Sequence, residues 1–228
     1  MLKIEHTEVV GWSAAIRGMR NPMNSWMKID SQTCTNCNGC LPGQECERYK
    51  NGTFIGPNDL DLMTRLRNAG TDHRKFMRMI VVYLDITAPL YWWKEFDTYK
   101  VGTVANSCST MHKIAAKEFT LEDFSTEHLY PEVREAFENT IIKYLNEARK
   151  TYNFLSDTPS KKDAWWQMIQ LLPTSYNQKR TVMLNYEVLA NIYKSRKNHK
   201  LDEWHTFCDW IEELPYSELI TGKEYDVE

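Results

Sequence analysis

Four cysteines lie close together in the sequence, and closely spaced thiolates are good metal ligands. Cys34, Cys37, Cys40 and Cys46 form a Cys-x2-Cys-x2-Cys-x5-Cys pattern that spans 13 residues. Such a set can hold zinc, and its spacing also resembles the ligation of an iron–sulfur cluster. A reduced surface loop and a disulfide are the other interpretations that the pattern leaves open. If the loop binds zinc, the zinc is structural, because four protein ligands leave no position for water.

A second candidate for chemistry is the segment from Ile86 to Lys100, ITAPLYWWKEFDTYK. Its Ala-Pro step follows an apolar run, and Pro89 suits the first turn of a helix. Residues 103–113, TVANSCSTMHK, are mostly small and polar after Gly102. Small side chains let a ligand approach the backbone closely, so this stretch is a candidate binding segment.

The third candidate is a predicted helix from Thr181 to Arg196. The amides of Asn185 and Asn191 can both donate and accept hydrogen bonds, and Arg196 can donate to an oxygen that carries negative charge. Asn191 and Arg196 are five residues apart, about 140° around a helix, so we expect them to flank a site. The alternatives are a helix-start cap for Asn185 and a solvated helix end for Arg196.

The second candidate segment resembles the central motif of the flavin-dependent thymidylate synthases, RHRxxSxNExSxRY. Ala88-Pro89 matches the family's Ala-Pro step without a gap. Lys94-Glu95 aligns with Arg-Gln, and Thr98-Tyr99-Lys100 aligns with Arg-His-Arg. With one extra residue allowed after these, Asn106 aligns with Asn, Ser107 with Glu, Ser109 with Ser, and Met111-His112 with Arg-Tyr.

The third candidate segment resembles a second block of the same family, LP…Y…TVNARSL-x-N/H-F-x-x-R, which is followed by a His and a Glu. The Arg of Asn-Ala-Arg is replaced by Glu187. The matching residues in this chain are Leu172-Pro173, Tyr176, Thr181, Asn185, Leu189, Asn191, Arg196, His199 and Glu203.

The resemblance implies reductive methylation of dUMP to dTMP, with FAD as the flavin and with NADPH and methylenetetrahydrofolate as co-substrates. It implies a homotetramer and a catalytic role for Arg196 on the uracil carbonyl. The cofactor-binding residues that it implies are Asn185, Asn191, Tyr99, Lys100, Asn106 and His199. The substrate-binding residues that it implies are Ser109, Arg196, Glu95 and His112.

Two alternatives remain open because several motif charges are changed. One is a divergent enzyme that acts on another pyrimidine nucleotide or binds FMN in place of FAD. The other is a module that binds a nucleotide or flavin without catalysis.

Composition excludes several classes of function. The 228 residues carry a net charge of −3 and no basic stripe, so a nucleic-acid polymer is not the expected partner. No run of 18 apolar residues predicts a membrane span, and the acidic N-terminal stretch does not resemble a signal peptide, so we expect a cytoplasmic protein. We predict one domain over residues 1–228 with a Cys-rich insertion at about 30–56.

The pattern of apolar residues predicts an α+β fold in which helices pack on a small mixed or antiparallel sheet, as the resemblance also implies. His73 and Arg74 are predicted to lie on the surface, and Trp92 and Trp93 in the core. Strands are predicted at 3–10 and 77–86, and helices at 12–19, 58–70, 89–99, 131–154, 164–172, 181–196 and 202–214, with Asn58 and Asp202 as caps.

Overall fold

A computed structural model describes residues 2–33, 53–156 and 159–222 of the chain. Its α-helices are α1 (Trp12–Arg20), α2 (Pro57–Asn68), α3 (Leu90–Phe96), α4 (Pro131–Phe137), α5 (Lys143–Phe154), α6 (Pro159–Leu171), α7 (Tyr186–Arg196), α8 (Asp202–Glu212) and α9 (Glu218–Thr221). Its strands are β1 (Lys3–Val10), β2 (Gln32–Thr33), β3 (Thr53–Phe54), β4 (Val81–Pro89), β5 (Val104–Ser107) and β6 (Asn177–Asn185). Across the described ranges, no helix has the length and apolar character needed to cross a membrane.

The strands form two sheets. Four of them make one sheet in the order β1-β4-β6-β5, and β2 pairs with β3 in an antiparallel ribbon in which Gln32 lies opposite Phe54. Helices contribute most of the remaining regular structure. The predicted α+β class, rich in helices and with a small sheet, is confirmed.

The chain divides into two compact units. The first consists of Met1–Glu5, Asp85–Thr98 and Ala105–Thr181, and the second of His6–Leu84, Tyr99–Val104 and Val182–Glu228. The one-domain organisation stays a prediction.

The first unit has an aromatic core. Phe119 and Phe124 pack with Leu145 and Met168 in one buried cluster. The Asn146 side chain donates to Phe119 O at 2.8 Å and accepts from Phe119 N at 2.9 Å, so its amide is satisfied inside this core. A single π-helical turn, Glu138–Ile142, joins α4 to α5 where the sequence predicted one continuous helix.

The two adjacent tryptophans of α3 are buried, as the sequence predicted. Trp92 and Trp93 are 0% and 1% exposed. The Trp93 indole N–H donates to Gln178 O at 2.9 Å, and Trp92 stacks on Phe96 with ring centroids 5.1 Å apart. These rings therefore stabilise the first unit and are not part of an open stacking cage.

The second unit is held partly by a buried ion pair. Arg20 of α1 and Asp59 of α2 are 4% and 0% exposed, and their closest side-chain atoms are 2.6 Å apart. Asp30 supplies the cap of α2, because its carboxylate accepts the backbone N–H groups of Asn58 at 2.9 Å and Asp59 at 3.1 Å. The prediction that Asn58 caps this helix is wrong, since Gly56 occupies the N-cap position.

The predicted helix at 181–196 is wrong in its first part. Strand β6 continues to Asn185, and α7 begins only at Tyr186. Val182 and Leu184 are both fully buried and alternate with more exposed residues, which is the period of a strand. Strand β5 was not predicted, and β4 begins later than predicted because Lys75–Met79 forms a 3-10 helix.

Candidate functional site

Helix α7 carries Asn191 and Arg196 of the predicted site residues, and its start is fixed by Asn185. The Asn185 side-chain oxygen accepts a hydrogen bond from the backbone N–H of Val188 at 3.1 Å. Asn185 therefore caps the start of the helix, which was one of the two interpretations that the sequence left open. A Cβ atom at Gly102 would lie 2.9 Å from Asn185 Nδ2. The glycine therefore lets the loop that carries Tyr99 and Lys100 approach this cap closely.

Arg196, the last residue of α7, is oriented by two aromatic side chains. Its Nε–H donates to the Tyr99 hydroxyl oxygen at 2.9 Å, and its guanidinium carbon lies 4.8 Å from the centre of the Trp204 ring. The rings of Tyr99 and Trp204 meet edge to face at 6.2 Å. Arg196 is half-buried, so the alternative of a simply solvated helix end is not what the structure shows.

His199 lies in the same cluster. Its ring is 6.3 Å from that of Trp204, and its Nδ1 accepts the backbone N–H of Leu201 at 3.2 Å. His199 also lines a cleft of 550 Å³ together with Lys197 and Glu212. The structure thus brings together three predicted residues, Tyr99, Arg196 and His199, around a tryptophan that the sequence analysis did not select.

A second cluster on α7 involves an arginine that was predicted to be a surface residue. Arg74 is half-buried, and its Nε–H donates to Glu187 Oε1 at 3.1 Å. Its Nη2 donates to Asn191 Oδ1 at 3.3 Å. The surface prediction for Arg74 is therefore wrong, and Glu187, which replaces an arginine in the aligned motif, has a positive partner in the fold.

Nearby positive charge adds to this cluster. Burial lowers the pKa of Arg67, and the charge of Arg74 lowers it further, so the two guanidinium groups are within electrostatic reach of each other. Arg67 donates to the backbone oxygens of Leu219 at 3.3 Å and Ile220 at 3.4 Å, near the end of α9. Glu187 places a buried carboxylate beside Arg74.

The predicted substrate-binding residues Glu95, Ser109 and His112, and the predicted cofactor ligand Asn106, belong to the first unit. The Ser109 hydroxyl oxygen accepts the backbone N–H of His112 at 2.9 Å, which forms a local turn. Asn106, Ser109 and His112 are exposed, and so is Lys100 of the second unit. The ligand-binding roles of all these residues stay predictions.

The predicted metal ligands Cys34, Cys37, Cys40 and Cys46 lie outside the described residues. Within residues 2–33, 53–156 and 159–222, the structure contains no group of three or more His, Cys, Asp or Glu side chains arranged to hold a metal ion.

Solved structures share the fold of this chain. A flavin-dependent thymidylate synthase, ThyX, from Helicobacter pylori, complexed with FAD and dUMP, is 15% identical, covers 96% of this chain and 98% of its own, and has a TM-score of 0.67. Another structure of the Helicobacter pylori enzyme with FAD and dUMP gives 14% identity, coverage of 97% and 98%, and a TM-score of 0.66.

A related methylase has the same architecture. The UMP/dUMP methylase PolB from Streptomyces cacaoi, bound with 5-Br dUMP, is 12% identical, covers 97% of this chain and 95% of its own, and has a TM-score of 0.58. No protein-family model matches the sequence, and no curated protein matches it. The likeness to the solved structures confirms the predicted fold resemblance.

Proposed function

We propose that this protein is a flavin-dependent enzyme that methylates a pyrimidine deoxynucleotide, converting dUMP to dTMP with methylenetetrahydrofolate and NADPH. The fold supports this proposal, because the similar solved structures are methylating enzymes whose ligands are dUMP or 5-Br dUMP. The observation that carries it is the orientation of Arg196 by Tyr99 and Trp204, at the position where the family resemblance implies a contact with uracil.

Arg196 has the chemistry that the reaction needs. A planar guanidinium group held by a hydrogen bond to Tyr99 presents its remaining N–H groups in a fixed direction. Such donors bind a ring carbonyl oxygen and stabilise the negative charge that develops there when the pyrimidine C5 becomes nucleophilic. Because Tyr99 and Trp204 both contact the guanidinium group, Arg196 should need little rearrangement during the reaction.

The side chains of the second unit also fit a flavin. Asn191 offers an amide for the polar edge of the ring, and Lys100 offers an exposed ammonium group that suits a phosphate. Asn185 can contribute through Nδ2, since its oxygen caps α7. A bound flavin supplies the hydride that reductive methylation requires. In this proposal Tyr99 and His199 complete the residues of the second unit that orient the cofactor, and Asn106 keeps the cofactor-binding role that the resemblance implies.

A second candidate is the same chemistry on another pyrimidine nucleotide. Thr98 and Met111 carry no charge at positions where the family resemblance implies arginines, and the Met111 side chain is 47% exposed. A nucleotide phosphate is bound best by arginine or lysine. The change Met111→Arg should therefore tighten dUMP binding about tenfold if the phosphate lies near this position. An unchanged dissociation constant for dUMP would contradict that placement.

The assembly that we propose is a homotetramer. Large apolar side chains are exposed on the helices of the first unit, including Phe154 at 89% and Tyr144 at 62%. Exposed apolar groups of this size are typical of surfaces that other chains cover. Sedimentation equilibrium should give four times the mass of one chain, and a monomer at micromolar concentration would contradict the proposal.

The reaction is tested by release of deuterium from [5-²H]dUMP in the presence of FAD, methylenetetrahydrofolate and NADPH. The wild type should release deuterium and form dTMP, and Arg196→Met should lower the rate at least a hundredfold, the loss typical of a charge-stabilising donor. Arg65→Met is the matched control, because Arg65 forms an exposed ion pair with Asp61. Flavin binding without deuterium release from dUMP or UMP would favour the non-catalytic alternative.

A further inference from the structure

Arg74 links two side chains that lie one turn apart on α7. Glu187 and Asn191 are at positions i and i+4, so both project from the same face of the helix. Arg74 precedes the 3-10 helix Lys75–Met79, which packs against α7. The guanidinium donates to Glu187 at 3.1 Å and to Asn191 at 3.3 Å, so a single side chain spans the turn.

Glu187 holds this guanidinium in place. Its side chain is 7% exposed, and its second oxygen, Oε2, is buried and has no hydrogen-bond partner among the described residues. A buried carboxylate is strongly destabilised without a positive partner. Arg74 therefore has a fixed position, because the Glu187 charge keeps the guanidinium beside α7.

The fixed guanidinium determines how the Asn191 amide is turned. Arginine has N–H donors and no acceptor, so only the amide oxygen of Asn191 can face it. The observed contact joins Arg74 Nη2 to Asn191 Oδ1. It follows that the amide nitrogen of Asn191, with its two N–H donors, points away from Arg74, and Asn191 is an exposed residue.

We propose that Arg74 is a positioning residue, held by Glu187, that keeps the Asn191 amide turned so that Nδ2 donates to an acceptor on the edge of a bound flavin. This inference rests on the proposed function, since it assigns a flavin as the group that Asn191 contacts. Arg74 acts through Asn191 and does not touch the cofactor. Isoalloxazine carbonyl and imine groups are acceptors, which match an amide N–H.

Dissociation constants for FAD, measured by fluorescence titration, test the coupling between Arg74 and Asn191. Arg74→Met alone leaves the Glu187 carboxylate buried without its partner, so the double variant Arg74→Met/Glu187→Gln removes both charges together. This variant and Asn191→Ala should each weaken FAD binding about tenfold, the loss of one hydrogen bond. The triple variant that combines them should bind FAD as tightly as Asn191→Ala does, because Arg74 acts only through that amide.

Two further variants separate orientation from structure. Asn191→Asp keeps an acceptor for Arg74 and loses both N–H donors, so it should fold normally and bind FAD about as weakly as Asn191→Ala. Arg74→Lys retains a positively charged donor beside Glu187, so it should bind FAD more tightly than the double variant Arg74→Met/Glu187→Gln does. Arg65→Met should bind FAD as the wild type does. Urea unfolding of the flavin-free variants measures any loss that is only structural.

The outcomes distinguish this inference from the proposed function. Suppose that the wild type binds FAD but that the losses of FAD binding free energy in Arg74→Met/Glu187→Gln and in Asn191→Ala are additive. Arg74 then does not act through Asn191, and the inference is wrong while the proposed function stands. Normal FAD binding by Asn191→Asp would overturn it equally. If the wild type binds neither FAD nor FMN, the proposed function fails and the inference fails with it.

Discussion

At the scale of single residues, the account depends on how Arg196 is held. A lone arginine at a helix end samples many rotamers, and ordering it opposes binding by up to about 2 kcal/mol. Here the Tyr99 hydroxyl accepts its Nε–H and the Trp204 ring lies against the guanidinium. These two contacts limit the rotamers of Arg196, so less of that cost remains to be met when a nucleotide binds.

The Tyr99 hydroxyl should therefore matter more for catalysis than for stability. Tyr99→Phe removes the acceptor and keeps the ring, so we expect the rate of deuterium release from [5-²H]dUMP to fall about tenfold, the effect of one hydrogen bond to a charged group. Tyr193→Phe is the matched control, since the Tyr193 hydroxyl also forms a hydrogen bond in this unit, which it donates to Glu212 Oε1. Equal rates for the two variants would contradict the role given to Tyr99.

At the scale of elements, α7 shows what a sequence can predict and what it cannot. The end of the helix at Arg196 was predicted correctly, and the binding roles of Asn191 and Arg196 stay predictions. Its start was wrong, because a run of apolar and β-branched residues at 181–184 fits a strand or a helix over so short a length. In the folded chain Val182 and Leu184 are both buried at a spacing of two residues, as expected for a strand.

The partners of α7 could not be predicted from the sequence for a different reason. Arg74 is 117 positions before Asn191, and Tyr99 is 97 before Arg196. No local period joins residues so far apart, and only the tertiary fold brings them together. The charge change to Glu187 was the one available signal for Arg74, because a buried carboxylate requires a cation.

The packing of Gly102 against the start of α7 can be tested directly. Alanine at Gly102 is strained by its φ of +80°, and its Cβ would also displace the Asn185 amide that caps the helix. Gly102→Ala should therefore lower the free energy of unfolding by about 2 kcal/mol, the sum of backbone strain and a lost cap.

Gly70→Ala provides the control for that prediction. Gly70 has a φ of +105°, but its Cβ would meet no atom within 4 Å. This variant carries the backbone strain alone and should lose about 1 kcal/mol. Urea unfolding curves with equal losses for the two alanine variants would show that Gly102 does not support the cap.

At the scale of the whole molecule, the Arg20–Asp59 pair gives stability a dependence on pH. Burial raises the pKa of Asp59, but hydrogen bonds from the Ser31 hydroxyl, from Arg20 and from the Asp30 backbone lower it more, so the pKa is below its ordinary value of 3.8. A carboxyl group whose pKa is lowered by folding stabilises the fold at pH values above its ordinary pKa. The contribution is lost as the pH falls through the pKa of the folded state.

Asp59→Asn should remove this contribution. Neutralising one partner of a buried pair leaves Arg20 uncompensated, so we expect a loss of about 3–5 kcal/mol in the free energy of unfolding at pH 7. The difference from the wild type should shrink in acid, as seen in urea unfolding between pH 7 and pH 3. Asp61→Asn, on the exposed side of the same helix, should change stability by less than about 1 kcal/mol. A pH-independent difference would contradict the assignment.

The molecule as a whole combines a shared fold with changed motif charges. Its likeness to ThyX extends over nearly the whole length of the chain, yet identity is only 15%. Three positively charged positions of the family that this chain resembles are occupied by Thr98, Met111 and Glu187. Positive charge in the second unit is carried by Arg74 and Lys100, among others. The likeness therefore shows the fold, and the changed motif charges make the identity of the nucleotide the part of the proposed function that most needs a direct binding test.

Titration of the purified protein with FAD, followed by its visible absorbance spectrum with and without dUMP, tests the central claim most directly. The account predicts a saturable change in the flavin absorption band and a further change when dUMP is added, because both ligands contact residues of α7. A spectrum of free flavin at every protein concentration, for FAD and FMN alike, would contradict it.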